Sequence, residues 1–361
     1  MSLDEYFLVR PSVAIVPIDS NHVDFFLSSV RKNLRTKLDK ELFLCVSKLD
    51  GKKTVLDLAS EADICIDKLL KFFNFLISNS VIETQELRDF IDNNPDRRTL
   101  NFIGDLVPYS NVLDAQSSIS KANVCIVGLG AVGSLIANQL TSMGFRNFIL
   151  IDDDVVNWSN LNRSDFEPND VGKLKVDTVE ERIYTIRPDA NVDKITAVVS
   201  DQKQLIQLLS TTKLDCIINC ADFPNADHTN NIVNSYALHT NTPMLIAGGY
   251  NLHLSIIGMT IIPGETACTN CSKLTLDEIG QDISAGIKKL SRKERNLGNM
   301  APTAAITSSF CALEVLRVAL RPYGVVPAMI NRRGEYNFFG SKISFTEIPP
   351  RQECGCICDV K

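Results

Sequence analysis

The chain has 361 residues, 45% of them hydrophobic, which is enough for a large domain with a buried core beside a smaller one. Its net charge is −6 at pH 7, and the basic run KKLSRKER at 288–295 mixes its charges with other residues, as a solvated helix or mobile loop does. Nucleic acid is therefore not an expected partner. No apolar run approaches the roughly 20 residues that span a bilayer, and the start MSLDEYFLVRPS lacks the layout of a secretory signal. We expect a cytoplasmic protein with no membrane partner.

Residues 1–85 are predicted to form a separate small module. Two short strand-like stretches, FLVRPSVAIVPI and HVDFFLSS, precede three helical patterns, TKLDKELFLCVSKLDG, KTVLDLASEA and CIDKLLKFFNFLISNSVIE. This order predicts a small α+β domain of winged-helix type. A DNA-binding winged helix is the alternative, but acidic residues interrupt the helix that would read DNA. Residues 86–122 are polar and are predicted to be a linker.

From residue 123 the chain alternates strand-like and helix-like segments, beginning NVCIVG, VGSLIANQLTSMG and NFILIDDD. This rhythm predicts βαβ units and a parallel sheet over residues 123–361. The later runs PMLIAGGY, LSIIGMTIIP and NFFGSKISFTEI are strand-like and extend the sheet in a mixed or antiparallel way. The expected fold is therefore α/β, Rossmann-like and mostly parallel, with the small N-terminal α+β domain attached.

A glycine-rich turn follows the first strand of this domain. Gly128, Gly130 and Gly133 match G-x-G-x-x-G, a spacing that permits a tight turn and lets a phosphate approach the free N–H groups of a helix N-terminus. Asp152 and Asp154 end the second strand, where an acid can bind ribose hydroxyls. These features alone suit NAD as well as ATP.

The residues after Asp154 favour ATP. Asn160, Arg163 and Lys175 lie within two dozen residues of the second strand, near the expected phosphates. A hydride-transfer site needs an apolar nicotinamide pocket with few cations, whereas cations beside a phosphate turn suit a triphosphate whose charge must be neutralised. An ordinary charged surface loop is the alternative. Asp222 follows another strand-like run, at the sheet edge where α/β proteins bind ligands.

Five cysteines form two groups, one at 268–271 and one at 354–358. C-x-x-C and C-x-C-x-C groups in a reducing compartment indicate a metal rather than disulfides, and four thiolates suit tetrahedral structural zinc. The spacing leaves open which two of the last three bind, and a redox dithiol is the alternative. The candidates are Cys268, Cys271, Cys354, Cys356 and Cys358.

The run D-x-D-x-V-x-x-S-N-L-x-R, followed by V-G-x-x-K, CAD and paired cysteines, resembles the ThiF/E1-like adenylating family over residues 97–358. The resemblance implies an enzyme that uses ATP and Mg²⁺ to activate a carboxylate, and a homodimer. By matching position, Asp152 would bind the ribose, and Asn160, Arg163 and Lys175 would bind the phosphates. Asp222 would hold Mg²⁺, so that Asp222, Arg163 and Lys175 form the implied catalytic set.

The N-terminal module resembles the leader-recognition domain of ribosomal-peptide maturation enzymes, which adds a leader peptide to a sheet edge. Together the two parts resemble the branch that adenylates the microcin C7 peptide. Leu100 stands where family members carry an ATP-contacting arginine, and Arg97 or Arg98 are possible substitutes. This departure favours a specialised branch, such as the one that condenses glutamate side chains in pantocin A maturation. Nucleotidyl transfer to a peptide C-terminus and a non-catalytic peptide-binding scaffold are the alternatives.

Overall fold

The structure is a computed structural model that describes residues 2–19, 21–247, 250–251, 254–284 and 298–356. The basic run at 288–295 and Cys358 lie outside the described residues. The chain divides into two compact units, Met1–Ser117 and Ser118–Lys361. No helix in the described part of the chain is long and apolar enough to cross a membrane.

The first unit contains two small antiparallel sheets and five α-helices. One sheet has the strand order β5-β1-β6, and the other is a β2-β3-β4 meander. The strands are β1 (Tyr6–Val9), β2 (Val13–Pro17), β3 (His22–Leu27), β4 (Lys32–Lys37), β5 (Asp50–Thr54) and β6 (Ile82–Thr84). The α-helices that lie wholly in this unit are α1 (Lys40–Ser47), α2 (Val55–Glu61), α3 (Ile66–Ser78), α4 (Gln85–Asp92) and α5 (Arg97–Leu106).

Helices α1 to α3 form where the sequence predicts them. Asp39 caps α1 by accepting a hydrogen bond from the N–H of Leu42, and Thr54 and Asp57 form a reciprocal capping box at the start of α2. The apolar face of α3 buries Phe73, whose ring meets the ring of Phe7 edge-on with centroids 5.5 Å apart. One core thus joins the strands and the three helices.

Residues 86–122, predicted to be a polar linker, contain helices. Beyond α4 and α5, a 3-10 turn at Tyr109–Asn111 leads into α6 (Val112–Lys121), and residues up to 117 pack with the first unit. The polar composition conceals buried charges: Arg88 is 5% exposed, and its Nη1 lies 3.2 Å from Oε1 of Glu83. A polar composition suggests a solvated segment. Composition does not reveal that the charge of the buried arginine is compensated by an acidic partner.

The second unit is built on one large mixed sheet. Its strands are β7 (Asn123–Val127), β8 (Asn147–Ile151), β9 (Asn191–Ile195), β10 (Cys216–Asn219), β11 (Met244–Ile246), β12 (Tyr250–Asn251), β13 (Leu254–Ile261), β14 (Arg332–Asn337) and β15 (Lys342–Glu347). Its remaining helices are α7 (Ala131–Ser142), α8 (Lys175–Ile186), α9 (Gln202–Leu208), α10 (Ala226–Thr240), α11 (Thr269–Ser284) and α12 (Ala301–Ala319).

The strand order is β15-β14-β13-β11-β10-β7-β8-β9, with β12 paired to β13. Strands β11, β10, β7, β8 and β9 are parallel neighbours, whereas β13, β14 and β15 join antiparallel. The central parallel strands β7, β8 and β10 consist mostly of buried apolar residues, as expected for strands covered on both faces, whereas every residue of the edge strand β9 is at least partly exposed. The sheet confirms the Rossmann-like, mostly parallel α/β fold, including its antiparallel extension.

Candidate functional site

A sharp turn joins β7 to α7 at the three glycines. Gly128 has a φ of +87°, in the left-handed region, and a Cβ there would lie 2.6 Å from the backbone nitrogen of Ala221. A Cβ on Gly133 would lie 1.9 Å from the carbonyl oxygen of Gly128, whereas a Cβ on Gly130 would meet nothing within 4 Å. Packing therefore requires glycine at 128 and 133. At 130, the N-cap of α7, glycine leaves space open to the pocket that it lines.

Asp152 follows β8, and backbone groups hold its carboxylate. Its Oδ2 accepts a hydrogen bond from the N–H of Leu129 at 2.6 Å, and its Oδ1 accepts one from the N–H of Asp154 at 2.9 Å. Burial raises the pKa of this carboxyl above its usual value, although Lys175 and the two backbone hydrogen bonds act in the opposite direction. The carboxylate is thus fixed against the glycine turn.

Lys175, the first residue of α8, is a buried cation beside Asp152. Its side chain is only 9% exposed, and its Nζ lies 2.7 Å from Oδ2 of Asp154 and 3.8 Å from Oδ1 of Asp152. Its backbone N–H also donates to the carbonyl of Asp154 at 2.9 Å. Residues 152–154 and the start of α8 therefore form one hydrogen-bonded unit that places a positive charge at the carboxyl edge of the sheet.

The segment after β10 brings Asp222 to the same edge. The hydroxyl of Thr229, in α10, donates to the carbonyl of Ala221 at 2.6 Å, and the side-chain amide of Asn219 donates to the Thr229 hydroxyl at 3.1 Å. These bonds fix the backbone immediately before Asp222, while the Asp222 side chain itself is exposed. An exposed carboxylate on a fixed backbone is available to a bound ligand.

A pocket of about 310 Å³ lies at the carboxyl ends of β7, β8 and β10. This is the position where open α/β sheets bind ligands. Gly133 is not among the described lining residues; it packs against the carbonyl of Gly128 and so allows the turn to form. The pocket is lined by six of the residues that the sequence predicts for nucleotide binding, namely Gly128, Gly130, Asp152, Asp154, Lys175 and Asp222.

Several lining residues were not predicted. Val198 and Val199 form an apolar wall after β9. Open α/β sheets bind ligands at the carboxyl ends of their strands, and this position after a strand is the signal that could have indicated both valines. Phe223 also lines the pocket, although its side chain is 73% exposed. Thr229 has no sequence signal, because its role depends on a hydrogen bond to a residue eight positions earlier.

Asn160 and Arg163 lie beyond Asp154 on a turn that includes the 3-10 segment Trp158–Asn160. They are not among the described residues that line the pocket. The side-chain oxygen of Asn160 accepts from the N–H of Asn157 at 2.9 Å, and the Arg163 guanidinium donates to the carbonyl of Ser159 at 2.5 Å. Their assignment to the phosphates stays a prediction.

Leu100, which stands at the position of the family arginine, is fully buried in α5 of the first unit. Arg97 and Arg98 are exposed on the first turn of that helix. The Leu100 side chain packs in the core, and Arg97 and Arg98 stay candidates for the ATP contact that the family arginine would make.

Four of the five predicted metal-binding cysteines come together. The sulfur atoms of Cys268, Cys271, Cys354 and Cys356 all lie within 4.8 Å of one another. The sulfur of Cys268 lies 3.4 Å from that of Cys354, and the sulfur of Cys271 lies 3.3 Å from that of Cys356. Tetrahedral zinc with bonds of about 2.3 Å separates its sulfurs by about 3.8 Å, so the arrangement fits this metal. Cys358 lies outside the described residues.

One cysteine of the cluster favours its thiolate form. Burial raises the pKa of the Cys271 thiol, but backbone hydrogen bonds from Cys268 and Arg351, together with hydrogen bonds from the thiols of Cys356 and Cys354, lower it below the ordinary value. Burial instead raises the pKa of Cys354 and of Cys356. The Arg351 N–H lies 3.4 Å from the Cys271 sulfur. Metal ligation requires the thiolate form, so these contacts suit a metal site.

Comparison with known proteins assigns the family. The ThiF family model matches residues 105–358. The ubiquitin-like modifier-activating enzyme 5 of Oryza sativa subsp. japonica is 22% identical over 80% of this chain and 68% of its own length. The protein of the same name from Drosophila willistoni is 25% identical over 70% of this chain, and the match spans 61% of its length.

Solved structures share the fold over nearly the whole chain. E. coli MccB with AMPCPP and the peptide MccA has a TM-score of 0.72 at 21% identity, covering 97% of this chain and 99% of that one. PaaA has a TM-score of 0.68 at 19% identity, covering 95% and 100%. The matched family model spans the glycine turn, the pocket residues and the four cysteines. This chain therefore belongs to the ThiF family of E1-like, ATP-dependent adenylating enzymes.

Proposed function

We propose that this protein matures a ribosomally made precursor peptide by adenylating one of its carboxylates, on glutamate side chains, and that the peptide then condenses on itself, as in pantocin A maturation. The observation that carries the adenylating step is the pocket that joins the glycine turn, Asp152, Lys175 and Asp222. The peptide substrate is supported by the fold shared with MccB, which has been crystallised with the peptide MccA.

Each side chain in the pocket suits one part of magnesium-bound ATP. Asp152, fixed by two backbone N–H groups, would accept hydrogen bonds from the ribose hydroxyls. The N-terminus of α7 and the ammonium of Lys175 would hold phosphate oxygens. Asp222 offers the exposed carboxylate oxygens that Mg²⁺ prefers. The aliphatic wall formed by Val198 and Val199 would contact the base.

The proposed chemistry has two steps. A carboxylate oxygen of the peptide attacks the α-phosphorus of ATP, the bond to the bridging oxygen breaks, and pyrophosphate leaves. A nucleophile of the same peptide then attacks the acyl-adenylate carbonyl, loses its proton to solvent and displaces AMP. Lys175 would stabilise the negative charge that develops in the first step, because it is a buried cation in the pocket where the phosphates would lie. Arg163 would assist if it binds the phosphates as the family pattern implies.

The four gathered cysteines would hold a structural zinc ion. Cys268 and Cys271 flank the start of α11, and Cys354 and Cys356 follow β15, so the ion would fasten the C-terminal segment to the sheet domain. A closed set of four sulfur ligands leaves no position for a substrate, which supports a structural role over a catalytic one.

The first unit would capture the leader of the precursor, using residues 1–85, by adding it as a strand to an open sheet edge. Strand β2 is a poor edge, because Pro17 lacks an N–H and the N–H of Val13 already donates to the carbonyl of Arg10. On β4, the alternation of hydrogen bonds directs the backbone groups of residues 33, 35 and 37 away from β3. Strand β4 is therefore the proposed docking edge.

The family pattern also implies a homodimer, in which an arginine can reach the ATP of the other subunit. Leu100 cannot supply that contact, so Arg97 or Arg98 would have to do so. Charge reversal of each arginine, with ATP affinity as the readout, tests this assignment. Unchanged affinity in both variants would remove the two arginines from the site.

Mass spectrometry of the peptide product tests the function. The purified protein is incubated with ATP, Mg²⁺ and candidate precursors encoded beside its gene. Loss of the mass of water from the peptide supports adenylation followed by condensation. Gain of a nucleotide instead supports microcin C7-type transfer to a peptide C-terminus, which the shared fold with MccB favours as the second candidate. An unmodified peptide and no ATP consumption with any candidate would indicate a non-catalytic scaffold.

A further inference from the structure

The edge of β4 carries an unusual concentration of positive charge for a chain of net charge −6. Arg31, Lys32, Arg35 and Lys37 follow one another over seven residues, and all four are exposed. The only acid on the facing strand β3 is Asp24. We call these four residues the basic edge.

One member of the basic edge is already neutralised. The guanidinium of Arg35 donates to both carboxylate oxygens of Asp24, at 2.8 and 2.9 Å, and Asp24 is buried. Neither Lys32 nor Lys37 has an ion pair within 4.0 Å among the described residues. Arg31 likewise has no ion pair within 4.0 Å in the part of the chain that the structure describes. The charge available to a partner therefore comes from Arg31 and from the two lysines at the ends of the strand.

The two faces of β4 differ. Leu34 and Thr36 point to the core side and are partly buried, with Leu34 packed against the core of the first unit. Arg35 and Lys37 point to the opposite, exposed face, because side chains alternate along a strand. Lys32 lies on the same face as Leu34, at the start of the strand, so a strand added to β4 would meet one of the two lysines on each face and apolar surroundings at Leu34.

We propose that the leader segment that pairs with β4 is acidic, with carboxylates beside Lys37 and Lys32, whose charges have no acidic partner within the described ranges, and an apolar side chain beside Leu34. This inference rests on the leader docking proposed above and adds the chemistry of its partner. Opposite charges in neighbouring strands stabilise their pairing, and the lysines also keep the open edge from pairing with uncharged strands.

Peptide display tests the inference without knowledge of the precursor. Random 12-residue peptides are displayed and selected on the full-length protein. The expected result is enrichment of sequences in which Asp or Glu residues flank a short apolar stretch. Enrichment of uncharged or basic sequences, or of none, would overturn the inference.

Synthetic copies of the enriched peptides are then titrated against variants by fluorescence anisotropy. The double substitution K32Q/K37Q is expected to weaken binding roughly 2- to 20-fold, with the loss shrinking as salt is added, since exposed charge pairs are individually weak and screened. The control K52Q/K121Q removes two exposed lysines elsewhere, so its net charge equals that of K32Q/K37Q. It should bind the peptides as the wild type does. Equal binding by K32Q/K37Q contradicts the role of charge.

Asn33→Pro separates this inference from the docking itself. It removes one outward N–H from β4 and leaves every charge in place, and prolines are tolerated at outward positions of edge strands. Circular dichroism checks that the variant folds. Loss of binding in N33P with retention in K32Q/K37Q would refute only the acidic leader, whereas full binding by a folded N33P would refute docking at β4.

Discussion

The glycine turn allows a comparison in which two neighbouring glycines have opposite consequences. In Gly133→Ala, the new methyl group would lie 1.9 Å from the Gly128 carbonyl oxygen, although real Cβ contacts are essentially never shorter than 3.0 Å. Backbone would have to move by more than 1 Å, and overpacking of a buried site typically lowers the free energy of unfolding by about 1–3 kcal/mol. In Gly130→Ala, the methyl group meets nothing within 4 Å, so only the poorer N-cap propensity of alanine should lower the free energy of unfolding, by about 1 kcal/mol or less.

For ATP binding, G130A is the variant expected to show an effect, although it leaves the protein stable. Gly130 lines the pocket at the N-cap of α7, so its methyl group would occupy space proposed for a phosphate and weaken ATP binding in a stable protein. Urea denaturation followed by circular dichroism measures the first effect, and isothermal titration with ATP measures the second. The reasoning fails if G133A is as stable as wild type, or if G130A binds ATP with unchanged affinity.

Three further changes test other parts of the site. Asp222→Ala should lower kcat at least about 100-fold while leaving peptide affinity nearly intact, and normal turnover would remove Asp222 from the reaction. Because burial raises the pKa of Asp152, the ionised form is complete only above that raised pKa. The KM for ATP should therefore rise as pH falls, beginning at a higher pH than for an ordinary aspartate, and Asp152→Asn should lack this dependence. Cys271→Ser should abolish zinc, measured by mass spectrometry of metals, and lower Tm, whereas Cys65→Ser, at an exposed single cysteine, should do neither; retained zinc in C271S would refute the four-sulfur site.

Local patterns predicted the parts of the site that lie close to strand ends. The glycine spacing and the aliphatic run of β7 specify a strand, a turn and a helix within twenty residues, and Asp152 follows the next strand directly. Asp222 was predicted in the same way, because parallel strands end at a common edge. The cysteine groups could be paired despite their separation, since metal ligation restricts which residue types can meet.

Contacts between distant residues were beyond the sequence. The helices within 86–122 looked like a solvated linker, because nothing local shows that Arg88 is paired with buried Glu83. The short strand β5 was missed, since DGKKT lacks strand propensity and forms only by pairing with β1. The same limit applies to the turn that carries Asn160 and Arg163. Their spacing predicted that they bind phosphates, but the orientation of their side chains depends on hydrogen bonds within the turn.

The sulfur cluster has a consequence for biosynthesis. Cys354 is 86 positions beyond Cys268, and strands β14 and β15 lie between them. A ribosome that makes about 5–20 residues per second therefore needs several seconds to a quarter of a minute to complete the ligand set after its first pair emerges. During that interval Cys268 and Cys271 are exposed to oxidants and to competing metals. If the cluster holds zinc as proposed, cells short of zinc should lose newly made chains to proteases before the enzyme matures.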